Sequence, residues 1–181
     1  MRRLSIALFA MLVIIAMPLM AQEKEAAQEK QAMAPPEPLA DEWSKWMVGE
    51  WKGWSESEQG KSKDWQKVEL GLDGQFVMFQ ATSAIGEMTY KGMGALTHNP
   101  ETGESMGYWI DNWRGMYAGK GKREGNKLTM EWKGYMGTYN ETIEKVSDDK
   151  FVTTYSFTDP QGNTSQGRGE MTRVKPVTEK E

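Results

Sequence analysis

The chain has no cysteine, which excludes a disulfide framework, a thiolate metal site and lipid attachment through an N-terminal cysteine. Histidine is reduced to one residue, His98, and with no cysteine beside it the usual pairings of nucleophile and base are gone. No G-x-S-x-G elbow, H-E-x-x-H pair or P-loop is present, so no catalytic residue can be named and enzymatic activity is not expected. Excess positive charge is also lacking. The formal net charge is -4 and becomes -6 once Arg2 and Arg3 are removed with the first 21 residues. A mildly acidic chain does not draw in phosphate backbones or anionic lipid, so neither nucleic acid nor a membrane surface is expected as a partner.

Long apolar runs are scarce too. The one candidate, Leu4 to Ala16, falls short of the roughly 20 residues of a spanning helix. It follows Arg2 and Arg3 and leads through Pro18 to Ala21, after which the chain turns polar. That is the pattern of a cleavable signal peptide over residues 1–21, with a retained anchor as the alternative. The expectation is an exported, periplasmic or secreted protein with no integral anchor after cleavage. Residues 22–40 show no apolar periodicity and end in Pro35-Pro36-Glu37-Pro38, a composition that reads as a flexible tether. Residues 41–175 read as one domain and 176–181 as a disordered tail.

What the domain does have is regular punctuation. Turn signals stand at Gly60-Lys61, Asp73-Gly74, Gly86-Glu87, Asn99 to Gly103, Gly125-Asn126, Asp148-Asp149 and Asp159 to Asn163. The runs between them are rich in Trp, Tyr, Phe, Val, Thr and Met, and two alternate cleanly. Leu128, Met130 and Trp132 oppose Thr129, Glu131 and Lys133, and Phe151, Thr153, Tyr155 and Phe157 oppose Val152, Thr154, Ser156 and Thr158. The spacing predicts strands near 48–58, 64–72, 75–84, 88–97, 104–112, 114–122, 127–134, 138–146, 150–158 and 164–174. An all-β, antiparallel up-and-down barrel of about ten strands follows, because closure removes the edges such a meander would expose; an open sandwich is the alternative. Glycines two apart (Gly92 with Gly94, Gly119 with Gly121, Gly167 with Gly169) share a strand face, as at bends and close backbone approaches. A short N-terminal helix over 41–48, capped by Asp41 or Ser44, would cover the barrel end.

The segment Trp46-Met47-Val48-Gly49-Glu50-Trp51-Lys52-Gly53, a short helix entering G-x-W-x-G, resembles the opening of calycin-type barrels such as lipocalins and fatty-acid-binding proteins. The order that follows (Leu72-Asp73-Gly74-Gln75-Phe76, Tyr90-Lys91-Gly92-Met93-Gly94, the Asn99 to Gly103 turn, Tyr108-Trp109-Ile110-Asp111) resembles the secreted bacterial family called domain of unknown function 1579, over Trp43 to Arg173. This resemblance implies a lipocalin-like barrel and export, and it brings no substrate or catalytic residue. The opening also resembles nitrobindin-type haem barrels, which hold iron through a histidine inside the barrel near the C-terminus. Here His98 precedes Asn99-Pro100 and reads as a solvated turn residue, so no haem ligand and no cofactor are expected.

Eight tryptophans either fill such a barrel or line a pocket in it. Trp51, Trp109 and Trp132 are the candidate wall residues for a small lipophilic ligand. Trp109, Asp111 and Trp113 alternate with Tyr108, Ile110 and Asn112. If Trp109 faces inward, Asp111 is buried with it and needs a partner such as Arg114 or Arg168; if Tyr108 and Ile110 do, Asp111 faces solvent. Glu131, Glu141 and Glu144 read as mostly solvent-facing, and the scattered methionines as gap fillers rather than metal ligands. Three functions follow: a carrier of a small apolar or amphipathic ligand, an envelope interaction module with a filled barrel, or a carboxylate enzyme in which Asp111 and Glu131 converge in one cleft.

Overall fold

The computed structural model describes residues 35–99 and 101–175; the segments read as signal peptide and tail, and most of the tether, lie outside them. A helix α1 (Glu42–Met47) precedes ten strands: β1 (Gly49–Ser57), β2 (Gly60–Gly71), β3 (Phe76–Ile85), β4 (Met88–His98), β5 (Glu104–Asp111), β6 (Met116–Glu124), β7 (Lys127–Gly134), β8 (Gly137–Ser147), β9 (Lys150–Thr158) and β10 (Thr164–Arg173). Each strand pairs antiparallel with the next, and β1 pairs with β10, so the sheet is a closed barrel without an edge. Trp51 stands opposite Gln66 on one side and Arg173 on the other.

The expected elements form, and their departures from expectation have local causes. β6 begins at Met116 because Asp111 accepts hydrogen bonds from the amides of Trp113 (2.9 Å) and Gly115 (2.7 Å), which folds Asn112 to Gly115 into a turn with Arg114 at φ 68°. Of the two proposed helix caps it is Asp41 that serves, accepting from the amides of Trp43 and Ser44 at 3.1 Å. The chain docks slightly before the domain start read from sequence: Leu39 is buried, and its amide donates to the carbonyl of Gly74 at 2.8 Å.

Directly opposed residues of an antiparallel ladder share a face, so the registers sort the wall around the whole barrel. In the half next to α1 the inward residues are a solid core that includes Trp51, Val68, Val77, Phe79, Leu96, Leu128, Met130, Ile143, Phe151 and Met171. The helix closes this end with Trp43, Trp46 and Met47. Trp46 meets Trp51 edge-on at 5.4 Å, and Trp51 meets Phe151 at 4.9 Å. Arg173 lies over the Trp51 ring at 4.1 Å and donates to the carbonyls of Trp46 and Val48, satisfying the end of the helix.

His98 is not the solvated turn residue its neighbours suggest. It is the last residue of β4, faces inward and is buried, with Nε2 3.0 Å from Asp41 Oδ2. Burial lowers its pKa, against the pull of Asp41. Asp41 also accepts from Arg123. Burial opposes ionisation of Asp41, but hydrogen bonds from Ser44 and Arg123 and the nearby His98 outweigh it and hold the carboxyl at about 2. Asp41→Ala is expected to cost about 2 kcal/mol, for the lost cap and two unpartnered bases. An Asp whose pKa falls on folding contributes above its unfolded value, near 3.8, and loses that contribution as pH drops toward 2. The difference between Asp41→Ala and the parent in urea unfolding should therefore be full at pH 6 and shrink below pH 4.

Candidate functional site

In the half remote from α1 the inward residues differ in kind. They are Ser55, Asp64 and Gln66 on β1 and β2, Ala81, Ser83 and Tyr90 on β3 and β4, Trp109, Asp111 and Tyr117 on β5 and β6, and Trp132, Tyr139, Glu141, Tyr155 and Phe157 on β7 to β9. All are only partly buried although they point to the barrel axis. The packed core ends about midway, and beyond it the inward side chains, which line what is here called the lumen, keep accessible polar and aromatic surface.

The glycines explain how bulky rings keep close to that wall. A Cβ on Gly92 would collide with the Trp109 ring, one on Gly119 with Trp132, and one on Gly167 with Tyr155. Each aromatic side chain thus lies flat along the wall over a glycine of the neighbouring strand instead of projecting across the axis. Of the paired glycines read from sequence as bends or close backbone approaches, Gly92, Gly119 and Gly167 seat rings, while Gly121 and Gly169 lie against backbone carbonyls of neighbouring strands.

Polar groups are ordered along this wall. Trp109 Nε1 donates to the Tyr90 hydroxyl at 2.6 Å, and that hydroxyl reaches Asp111 Oδ2 at 3.4 Å. Trp113, in the rim turn, meets Tyr90 edge-on at 5.5 Å. Burial, together with Asp111, raises the phenols of Tyr90 and Tyr117 above their ordinary range, although Trp109's hydrogen bond to Tyr90 acts the other way. Tyr139 stacks on Tyr155 with centroids 5.5 Å apart. Beside it, burial pushes the Glu141 carboxyl up to about 7, against a hydrogen bond from Trp132.

Of the residues singled out from sequence, Trp109, Asp111 and Trp132 face the lumen. Trp51 is fully buried in the packed half, where its Nε1 donates to Met47 O at 2.9 Å. Trp109 and Asp111 take the inward alternative and leave Tyr108 and Ile110 outside. The partners of Asp111 are Tyr90 and two backbone amides. Arg168 instead lies near Glu56. Glu131 points outward to Lys133 at 2.9 Å, so it does not converge with Asp111. Glu141 is the correction: read as solvent-facing, it sits inside the barrel between Met130 and Tyr155. Sequence reasoning also passed over Tyr90, Tyr139, Tyr155 and Asp64. The signal was there in part, since Tyr139 and Glu141 share the alternation of Ile143, a core residue.

No group of three or more histidine, cysteine or carboxylate side chains able to hold a metal occurs among the described residues. No helix among them is long and apolar enough to cross a membrane.

A known structure shares the fold. The S-type phycobiliprotein lyase CPES from Guillardia theta superposes with a TM-score of 0.57 at 11% identity, covering 75% of this chain and 92% of the lyase. A protein of unknown function from the DUF3598 family of Nostoc punctiforme gives a TM-score of 0.47 at 12% identity, covering 78% of this chain and 53% of that one. No curated protein matches. The family described as "Protein of unknown function (DUF1579)" matches residues 40–170, and the chain belongs to that family.

Proposed function

We propose that this protein is an exported carrier that binds one small amphipathic molecule in the remote half of its barrel, and that it is not an enzyme. The observation that carries the reading is the division of the barrel interior. One half is packed solid around Trp51, while in the other half Trp109, Trp132 and Tyr155 lie flat on glycines and keep accessible surface. A barrel meant only to be filled gains nothing from polar groups such as Glu141 and Asp64 facing its axis, because each loses hydration there. Export rests on residues 1–21 as read from the sequence. The shared barrel of a protein named as a phycobiliprotein lyase is in keeping with a small-molecule role.

The neutral probe N-phenyl-1-naphthylamine should bind saturably, with one site per chain and quenching of tryptophan emission. Gly119→Val, which drives the Trp132 ring off the wall and across the lumen, should abolish that binding in a folded protein. Trp132→Phe should keep it with weaker quenching. Native mass spectrometry of protein from its own host should show a co-purifying mass. Absence of both the mass and saturable binding would overturn the reading.

A second reading, an interaction module, draws on one feature of the outer wall. Met93, Ile110 and Met116 are cross-strand neighbours on β4, β5 and β6, next to Tyr108 and Met106, and all five are exposed. A stable crosslinked partner lost in Ile110→Lys would favour it.

A further inference from the structure

Charge inside the barrel is segregated along its axis. The inward-facing basic side chains Arg123, Lys145 and Arg173 all lie in the half closed by α1, and Arg173 and Arg123 are engaged there by helix carbonyls and by Asp41. The inward positions of the remote half carry Asp64, Asp111 and Glu141 and, among the described residues, no lysine, arginine or histidine.

The three carboxylates are not equivalent. Asp111 is occupied by the fold, holding the Asn112 to Gly115 turn through two amides. Asp64 accepts one hydrogen bond, from Ser62 Oγ at 2.6 Å, and Glu141 has only the Trp132 indole. Glu141 on β8 stands opposite Tyr155 on β9, and Asp64 on β2 and Tyr90 on β4 both stand opposite Ser83 on β3, so all four line the inner wall of this half. Tyr139 stacks there on Tyr155, and no described protein group hydrogen-bonds its hydroxyl.

We propose that the lumen takes an organic cation, an amine or quaternary ammonium with an aromatic or apolar body, its charge held by Glu141 and Asp64 and its body laid between the Trp109, Trp132 and Tyr155 rings. The inference rests on the carrier reading above and adds the chemical class of the occupant. Carboxylates on the inner wall of a barrel lose part of their hydration, and no described basic side chain of this half neutralises them. A bound cation supplies the missing charge. Indole and phenol faces attract cations through their ring quadrupoles, so the wall and the carboxylates favour the same sign of ligand. An anionic ligand would meet like charge with no base to receive it.

Calorimetry at pH 8 on protein purified from its host distinguishes the possibilities with three probes of similar size: benzyltrimethylammonium, benzyl alcohol and phenylacetate. The cation should bind at least tenfold tighter than the alcohol, and phenylacetate should not bind. Glu141→Gln should weaken the cation fivefold or more while leaving benzyl alcohol unchanged; Asp64→Asn should act in the same direction and serves if Glu141→Gln fails to fold. Glu131→Gln, on the outer wall, should change neither. Equal or tighter binding of the alcohol or phenylacetate, or a cation preference indifferent to both inner substitutions, would overturn the charge inference and leave the carrier reading standing. No binding of any probe would overturn both.

Discussion

Trp51→Ala is expected to destabilise the protein by about 3–5 kcal/mol, the range for emptying a large buried aromatic site. The ring is fully buried, packs edge-on against Trp46 and Phe151, and lies under the Arg173 guanidinium. Its removal opens a void at the one place where helix, first strand and last strand meet, and it strips the Met47 carbonyl of its indole donor. The neighbours are themselves rigid rings and strand backbone, so collapse into the void is restricted. Trp51→Phe keeps most of the packing and loses the hydrogen bond, so a cost of about 1–2 kcal/mol is expected. Urea midpoints at unchanged slope would measure both, and a Trp51→Ala cost under about 1 kcal/mol would contradict a solid half-barrel. Because the Trp51 ring is fully buried in the packed half, Trp51→Phe should bind N-phenyl-1-naphthylamine as the parent does. Loss of binding in that folded variant would mean the pocket runs through to the helix.

The barrel was legible because its signals are local. A strand with one wet face prints its period of two directly into the sequence, as in Leu128 to Lys133, and turns announce themselves through Gly, Asn, Asp and Pro. The tryptophan at the G-x-W opening could be placed inside, but not in which half, since depth along a barrel depends on the register between strands distant in sequence. The same limit hid His98, whose partner Asp41 caps the helix. Glu141 shows the deeper reason. A carboxylate on the apolar face of Tyr139, Glu141 and Ile143 violates the binary pattern, and pattern reading assigns it to solvent. Such violations are where a fold gives up stability for something else, so the misplaced residue was the more informative one. The glycine pairs likewise could be counted in the sequence, while the rings they seat belong to neighbouring strands and needed the register.

Glu141→Gln makes that trade measurable. Burial raises the Glu141 pKa from an unfolded value near 4.5 to about 7, so between those values the folded protein binds a proton that the unfolded chain has released. Stability tied to this group is fully present below about pH 4.5 and is lost as pH rises through 7. Glutamine stands in for the protonated acid at every pH. The variant should therefore match the parent at pH 4.5 and exceed it at pH 8 by on the order of 2–3 kcal/mol, since each pH unit separating the folded and unfolded pKa is worth about 1.4 kcal/mol and water in the lumen relieves part of it. The groups facing Glu141 sharpen the expectation. The Trp132 indole is a neutral donor, Tyr139 and Tyr90 stay protonated through this range, and no lysine, arginine or histidine among the described residues faces this half, so none of them offers the ionised form a counter-charge. Saturating benzyltrimethylammonium should reverse the order at pH 8, because the cation stabilises the ionised parent and not the amide. Urea unfolding at pH 4.5 and pH 8, with and without that cation, gives four comparisons. A variant no more stable than the parent at pH 8 in the absence of cation would mean that Glu141 is already neutralised or well hydrated in the free protein, and the lumen would lose its claim to a positive guest.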